Sequence, residues 1–113
     1  MDRVAHYWEL LVKLMREDER LSNMTQQPGI ELILIVDPEK RIVQLQDIGW
    51  RKHKRVRDTY LVVRIKDGKI WIEDDGTEEG IANKLVAAGV PKSDIVLAFQ
   101  HPERRHLTEF AVA

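Results

Sequence analysis

Asp67-Gly68 lies between two segments in which apolar residues recur at every second position, Val56 to Lys66 before it and Lys69 to Ile72 after it. An Asp-Gly pair at such a junction specifies a two-residue hairpin turn, because the central positions need a left-handed backbone that these residues tolerate. The turn in turn fixes the register of the strands that leave it. Counting outward, Ile65 falls opposite Ile70 and Val63 opposite Ile72, which makes a coherent core face. The other face sets Arg64 opposite Trp71 and predicts a guanidinium over an indole on an exposed or interfacial surface.

The rest of the chain can be built around that hairpin. Val4, Tyr7, Trp8, Leu11, Leu14, Met15 and Leu21 recur at three- and four-residue steps and predict a helix from Asp2 to Leu21. Ser22 to Gly29 loses the period and reads as a loop. Ile30 to Val36 and Arg41 to Ile48 read as two strands joined by a turn at Asp37-Pro38-Glu39-Lys40. The first is apolar on both faces, with Leu32, Leu34 and Val36 on one side and Ile33 and Ile35 on the other. Such a strand needs a second cover, either a helix or another protomer, and it motivates the expectation of a homodimer.

Arg51-Lys52-His53-Lys54-Arg55 then separates this hairpin from the third strand. After the fourth strand, Asp75 with Glu78 three residues on forms a capping box for a shorter helix, from Glu78 to Ala88. Gly89 and Pro91 end it. Ile81, Leu85 and Ala88 form its inward stripe, and Gly80 is expected to let its first turn approach the sheet. Ser93 to Phe99 reads as a short turn or strand, and the terminal Phe110-Ala111-Val112 is expected to pack on the body. The expected fold is α+β: an antiparallel sheet of four or more strands built from two hairpins, with an N-terminal helix and a second shorter helix, all in one domain over residues 1–113.

Composition narrows the function classes. A net charge of -1 excludes a strongly polyanion-seeking chain, so any nucleic-acid contact needs a local patch. With no cysteine there is neither a disulfide framework nor a thiolate metal site, which fits the cytoplasm. The longest apolar run, Leu32 to Val36, cannot span a bilayer, and the charged amino terminus does not read as a signal peptide.

Candidate chemistry is thin. Asp74, Asp75, Glu78 and Glu79 are oxygen ligands of the kind hard cations prefer, yet they also match the positive end of a helix dipole. Asp67-Gly68-Lys69 has the acid-x-Lys spacing of metal-dependent nucleases, but it is a tight turn with its own conformational reason to exist. His6, His53, His101 and His106 form no metal signature. No catalytic residue, metal site or cofactor is therefore assigned. The densest feature is Arg51, Lys52, Lys54, Arg55 and Arg57, five cations in seven residues, which with five carboxylates between Glu73 and Glu79 makes a bipolar charge pattern. The basic run is the candidate contact for DNA or for an acidic partner.

Three stretches together carry a resemblance: Gly68-Lys69-Ile70-Trp71-Ile72, then Asp75-Gly76-Thr77-Glu78-Glu79-Gly80-Ile81-Ala82, then Gly89-Val90-Pro91-Lys92-Ser93-Asp94-Ile95-Val96-Leu97. With Gly49-Trp50 and Arg55-Val56 upstream and Phe110 to Ala113 at the end, they resemble the XisI family of excision controlling factor proteins. Gly49, Trp50, Gly68, Lys69, Trp71, Asp75, Gly76, Thr77, Glu78, Gly80 and Pro91 match its signature, whereas Val62 stands where the family often has histidine.

The resemblance implies a cyanobacterial accessory protein in the programmed excision of a DNA element during heterocyst differentiation, with a separate recombinase doing the chemistry. It also implies a companion of the XisH family, whose fold looks like that of nucleases. A direct DNA-binding module, an antitoxin-like inhibitor of that companion and a metal-dependent nuclease around Asp67 to Glu79 stay open as other readings.

Overall fold

The structure, a computed structural model, describes residues 2–25, 28–77 and 79–113. Helix α1 (Arg3–Thr25) is followed by strands β1 (Ile30–Asp37), β2 (Ile42–Arg51), β3 (Lys54–Lys66) and β4 (Lys69–Asp75), then helix α2 (Ile81–Ala87) and strand β5 (Ile95–Leu97). Short 3-10 turns occupy Lys92–Asp94 and Pro102–Leu107. The five strands form one sheet in the order β1-β2-β3-β4-β5. The first four are antiparallel neighbours, and β5 runs parallel to β4. A parallel neighbour needs a crossover, which α2 supplies.

The central hairpin has the register that the Asp-Gly turn dictates, with Ile65 opposite Ile70 and Val63 opposite Ile72. Asp67 and Gly68 both have positive φ, 53° and 77°, as a turn of this kind requires. One sheet face, carrying Leu32, Val43, Leu45, Leu61, Val63, Ile70 and Ile72, packs under Tyr7, Leu11 and Met15 of α1 and under Ile81 and Leu85 of α2. Asp2 caps α1 by accepting from the Val4 N–H at 3.0 Å.

Helix α1 runs past Leu21 to Thr25, so Ser22 to Thr25 are helical and not loop. Leu21 is exposed rather than inward. The polar residues at this end have partners in the sheet. Asn23 donates to the Leu32 carbonyl at 2.8 Å and accepts from the Leu32 N–H at 2.9 Å, and Glu19 accepts from the Leu34 N–H at 2.6 Å. Helix side chains thus stand in for a missing strand and close the outer edge of β1. The opposite edge is closed by the tail, whose Ala111 bridges Val96 and donates to the Ile95 carbonyl at 2.8 Å.

Four further expectations need correction. The basic stretch Arg51 to Arg55 is not a separating loop: β2 and β3 pair through it, Arg51 against Lys54, leaving Lys52-His53 as a two-residue turn and making a third hairpin. Charged side chains lower strand propensity but do not prevent pairing on an exposed ribbon. Trp71 lies opposite Arg64 but is buried, under Lys66 at 4.6 Å and Arg105 at 5.5 Å from the ring centroid, while Arg64 pairs with Glu73 at 2.8 Å. Helix α2 begins at Ile81, and its buried stripe is Ile81, Ala82 and Leu85, with Ala88 exposed. Gly80 serves its backbone, at φ 88°, and not close packing, since a Cβ there would meet only ordinary contacts at 3.7 and 3.9 Å.

Candidate functional site

Strand β3 is nearly twice as long as β4, 13 residues against 7, and this offset shapes the surface. Pairing with β4 stops at Leu61 opposite Asp75, while pairing with β2 continues to Lys54. The far half of the β2–β3 hairpin therefore projects as an arm. At its end stand Arg51, Lys52, Lys54, Arg55 and Arg57, all exposed, so the structure brings the five cations together on one ribbon. Beside them Trp50 is 54% exposed, with the Arg55 guanidinium 5.4 Å from its ring centroid. Arg55 also donates to the Gly49 carbonyl at 3.3 Å.

The signature glycine at the root of the arm has a specific steric reason. A Cβ on Gly49 would lie 1.8 Å from the carbonyl oxygen of Gly29, because the chain entering β1 crosses directly over it. That crossing is secured by the Trp50 N–H, which donates to the Gly29 carbonyl at 2.9 Å. Gly49 and Trp50 thus act as a pair: the first makes room for the backbone that the second binds.

The second part of the signature builds a loop between β4 and α2. Asp75 accepts at Oδ1 from the Thr77 N–H at 2.9 Å and the Thr77 hydroxyl at 2.5 Å, and at Oδ2 from the Ile81 N–H at 2.9 Å. Thr77 Oγ1 in turn accepts from the Gly80 N–H at 3.0 Å. Asp75 therefore caps α2 from six residues away, and the expected capping-box partner, Glu78, lies outside the described residues. Gly76 donates to the Tyr60 carbonyl at 2.7 Å, and a Cβ on it would lie 2.7 Å from that same oxygen.

This loop walls a polar hollow of about 440 Å³ with Asp18, Ser22, Tyr60 and Lys84 at the foot of the arm. Lys84 binds Asp18 at 2.9 Å, and this bond holds the Lys84 ammonium above its ordinary pKa. A wider and more apolar hollow of about 550 Å³ runs along α1 from Trp8 to Arg20.

The remaining signature residues sit elsewhere. Gly68 and Lys69 are at the opposite end of β3 from the basic tip, with the Lys69 ammonium on the Ala113 carbonyl at 2.5 Å. Trp71 and Pro91 belong to the body, and Val62 lies on the sheet face away from α1. Among the described residues no group of three or more His, Asp or Glu converges to hold a cation, and no helix is long and apolar enough to cross a membrane. Periodicity could not foresee the pairing that makes the basic run a ribbon, nor the part of Asp18, Ser22 and Tyr60 in the hollow.

The sequence profile of the XisI protein family matches residues 1–112. The chain belongs to the XisI family. A solved XisI-like protein from Anabaena variabilis superposes with a TM-score of 0.88 at 35% identity, covering 97% of this chain and 99% of that one. The fdxN element excision controlling factor XisI from the same organism gives a TM-score of 0.85 at 37% identity, covering 99% of this chain and 100% of that one. No curated protein matches the sequence. In this XisI-family chain part of the signature thus builds two structural devices, the Gly49-Trp50 crossing and the Asp75 loop, which flank the arm.

Proposed function

We propose that this chain is an accessory factor in the control of site-specific excision of a DNA element, acting through a protein partner and not by catalysis of its own. The observation that carries the reading is its end-to-end kinship, at 37% identity, with a protein named as an fdxN element excision controlling factor. The setting is heterocyst differentiation in a cyanobacterium, the partner an XisH-like companion and the compartment the cytoplasm. The exposed Trp and Arg side chains of the arm support the partner reading, since these residue types dominate the energetics of protein interfaces.

We also propose that the chain is a homodimer through the sheet face away from α1. Helix α1 covers only one side of β1, and Ile35 on the other side is 48% exposed. Co-expression with the neighbouring open reading frame, followed by affinity purification, tests the partner reading: a stoichiometric complex is expected. Its absence at high micromolar concentration would overturn it. Sedimentation of the isolated chain as a monomer at that concentration would overturn the dimer.

A further inference from the structure

We propose that the open edge of β3, over Arg55, Arg57 and Thr59, accepts an extended acidic strand of a protein partner by strand addition. This deepens the partner reading above and rests on it.

The first ground is which backbone groups the fold leaves open. The outer edge of β1 is closed by Asn23 and Glu19 of α1, and that of β5 by Ala111 of the tail. Along β3 the partner strand β4 ends at Asp75, opposite Leu61, and the Tyr60 carbonyl is taken by Gly76. Beyond Tyr60 the chain continues to Lys54 with β2 as its only strand neighbour among the described residues. The register tells which residues face outward. Trp50 turns its N–H toward Gly29 and so away from β3, which makes Gly49 and Arg51 the β2 residues that bond across to Val56 and Lys54. Arg55, Arg57 and Thr59, the alternate residues, direct their backbone groups away from β2. Consistent with this, Arg57, Asp58 and Thr59 are consecutive exposed residues inside a strand.

The second ground is charge. Arg55 and Arg57 lie on the same sheet face as Trp50 and Ile48, and Arg51, Lys52 and Lys54 continue the positive field to the tip. A second copy pairing along this edge about a two-fold axis would set arginine near arginine, which opposes self-association. The same charges attract a strand with carboxylates on that face. Asp58 points to the other face and selects against carboxylates there. Backbone bonds then give attachment, and alternate side chains give choice of partner.

Arg57→Pro is the discriminating substitution. Its N–H faces outward, so proline removes one donor of the open edge without breaking a β2–β3 bond. The probe is a fluorescein-labelled peptide alternating Glu with Thr over nine residues, read by anisotropy. Three controls accompany it: its twin with backbone N-methyl groups, a Lys-Thr twin and a duplex DNA of twenty base pairs.

The expected result is binding of the Glu-Thr peptide alone among the peptides, weakened about tenfold or more by Arg57→Pro. If circular dichroism shows that variant unfolded, the pair Arg55→Gln with Arg57→Gln keeps the donors and should lose affinity and salt dependence. Equal affinity of wild type and folded variants, or no peptide binding, overturns the proposal. Retention of duplex DNA that Arg57→Pro leaves intact, without peptide binding, overturns it in favour of phosphate contact. A companion protein that co-purifies equally with wild type and Arg57→Pro removes strand addition and leaves the partner reading standing. A companion that never co-purifies, while the peptide binds as described, removes that companion and leaves the edge.

Discussion

Replacing Asp75 by alanine isolates the structural meaning of the signature loop. The carboxylate accepts three hydrogen bonds, two from Thr77 and one from the Ile81 N–H that opens α2. Bonds to a charged acceptor contribute about 1.5–3 kcal/mol each when buried, but this loop is part-exposed and water replaces some of the loss. A total of about 2–3 kcal/mol follows for Asp75→Ala. With 113 residues, unfolding entropy is about 0.24 kcal/mol/K at roughly 2.1 cal/mol/K per residue, so the melting temperature should fall by about 8–13 °C.

Asp75→Asn keeps one acceptor but turns an amide toward a donor, and should lose about half as much. Asp74→Ala, at an exposed neighbour, is the control and should move stability by less than about 0.5 kcal/mol. Thermal melts by circular dichroism read all three, and amide exchange at Ile81 should quicken in Asp75→Ala alone. If Asp75→Ala melts like Asp74→Ala, the carboxylate does not organise the loop, and its presence in the signature needs a chemical explanation instead.

Gly49→Ala places a Cβ 1.8 Å from the Gly29 oxygen, so backbone must move; a loss of about 3 kcal/mol or more is expected, seen as a large fall in melting temperature or as insoluble protein. Asn23→Ala removes both bonds to Leu32 and reopens the β1 edge; it should cost about 1–2 kcal/mol and produce concentration-dependent association in sedimentation, whereas unchanged sedimentation would deny the edge-closing role.

Burial and the bond to Asp94 raise the Tyr7 phenol to about 12 from 10.0. The unfolded chain thus releases this proton first, so the stability Tyr7 contributes is whole below pH 10 and is lost as pH rises from there to about 12. Melts between pH 9 and 12 should show that slope, and Tyr7→Phe should flatten it.

Much of this fold is legible in the sequence where one local rule decides. The Asp67-Gly68 turn sets the β3–β4 register, and the three- and four-residue spacing sets the buried side of α1 at Tyr7, Leu11 and Met15. What escapes local reading depends on distant partners. Ser22, Asn23 and Thr25 look like loop because they are polar, yet Asn23 bonds a strand edge nine residues on. Trp71 falls on the outer face by alternation, but the tail folds back and Arg105 covers it.

Asp75 is recognisable as a cap, while its reach to Ile81 depends on the Thr77–Gly80 turn between them. For the candidate site, the density of cations from Arg51 to Arg57 is visible in the sequence. The open backbone edge beneath them is not, because it arises from β3, with 13 residues, outlasting β4, with 7.

Whether this chain is needed for excision of a DNA element is measured most directly by quantitative PCR across the rejoined DNA junction. The comparison is between cells lacking the gene and cells complemented with wild type or with the paired variant Arg55→Gln and Arg57→Gln. Junction product should fall to background without the chain and return with wild type, and the paired variant should restore little of it. Junction product at the normal level in cells lacking the chain would refute a role in excision control.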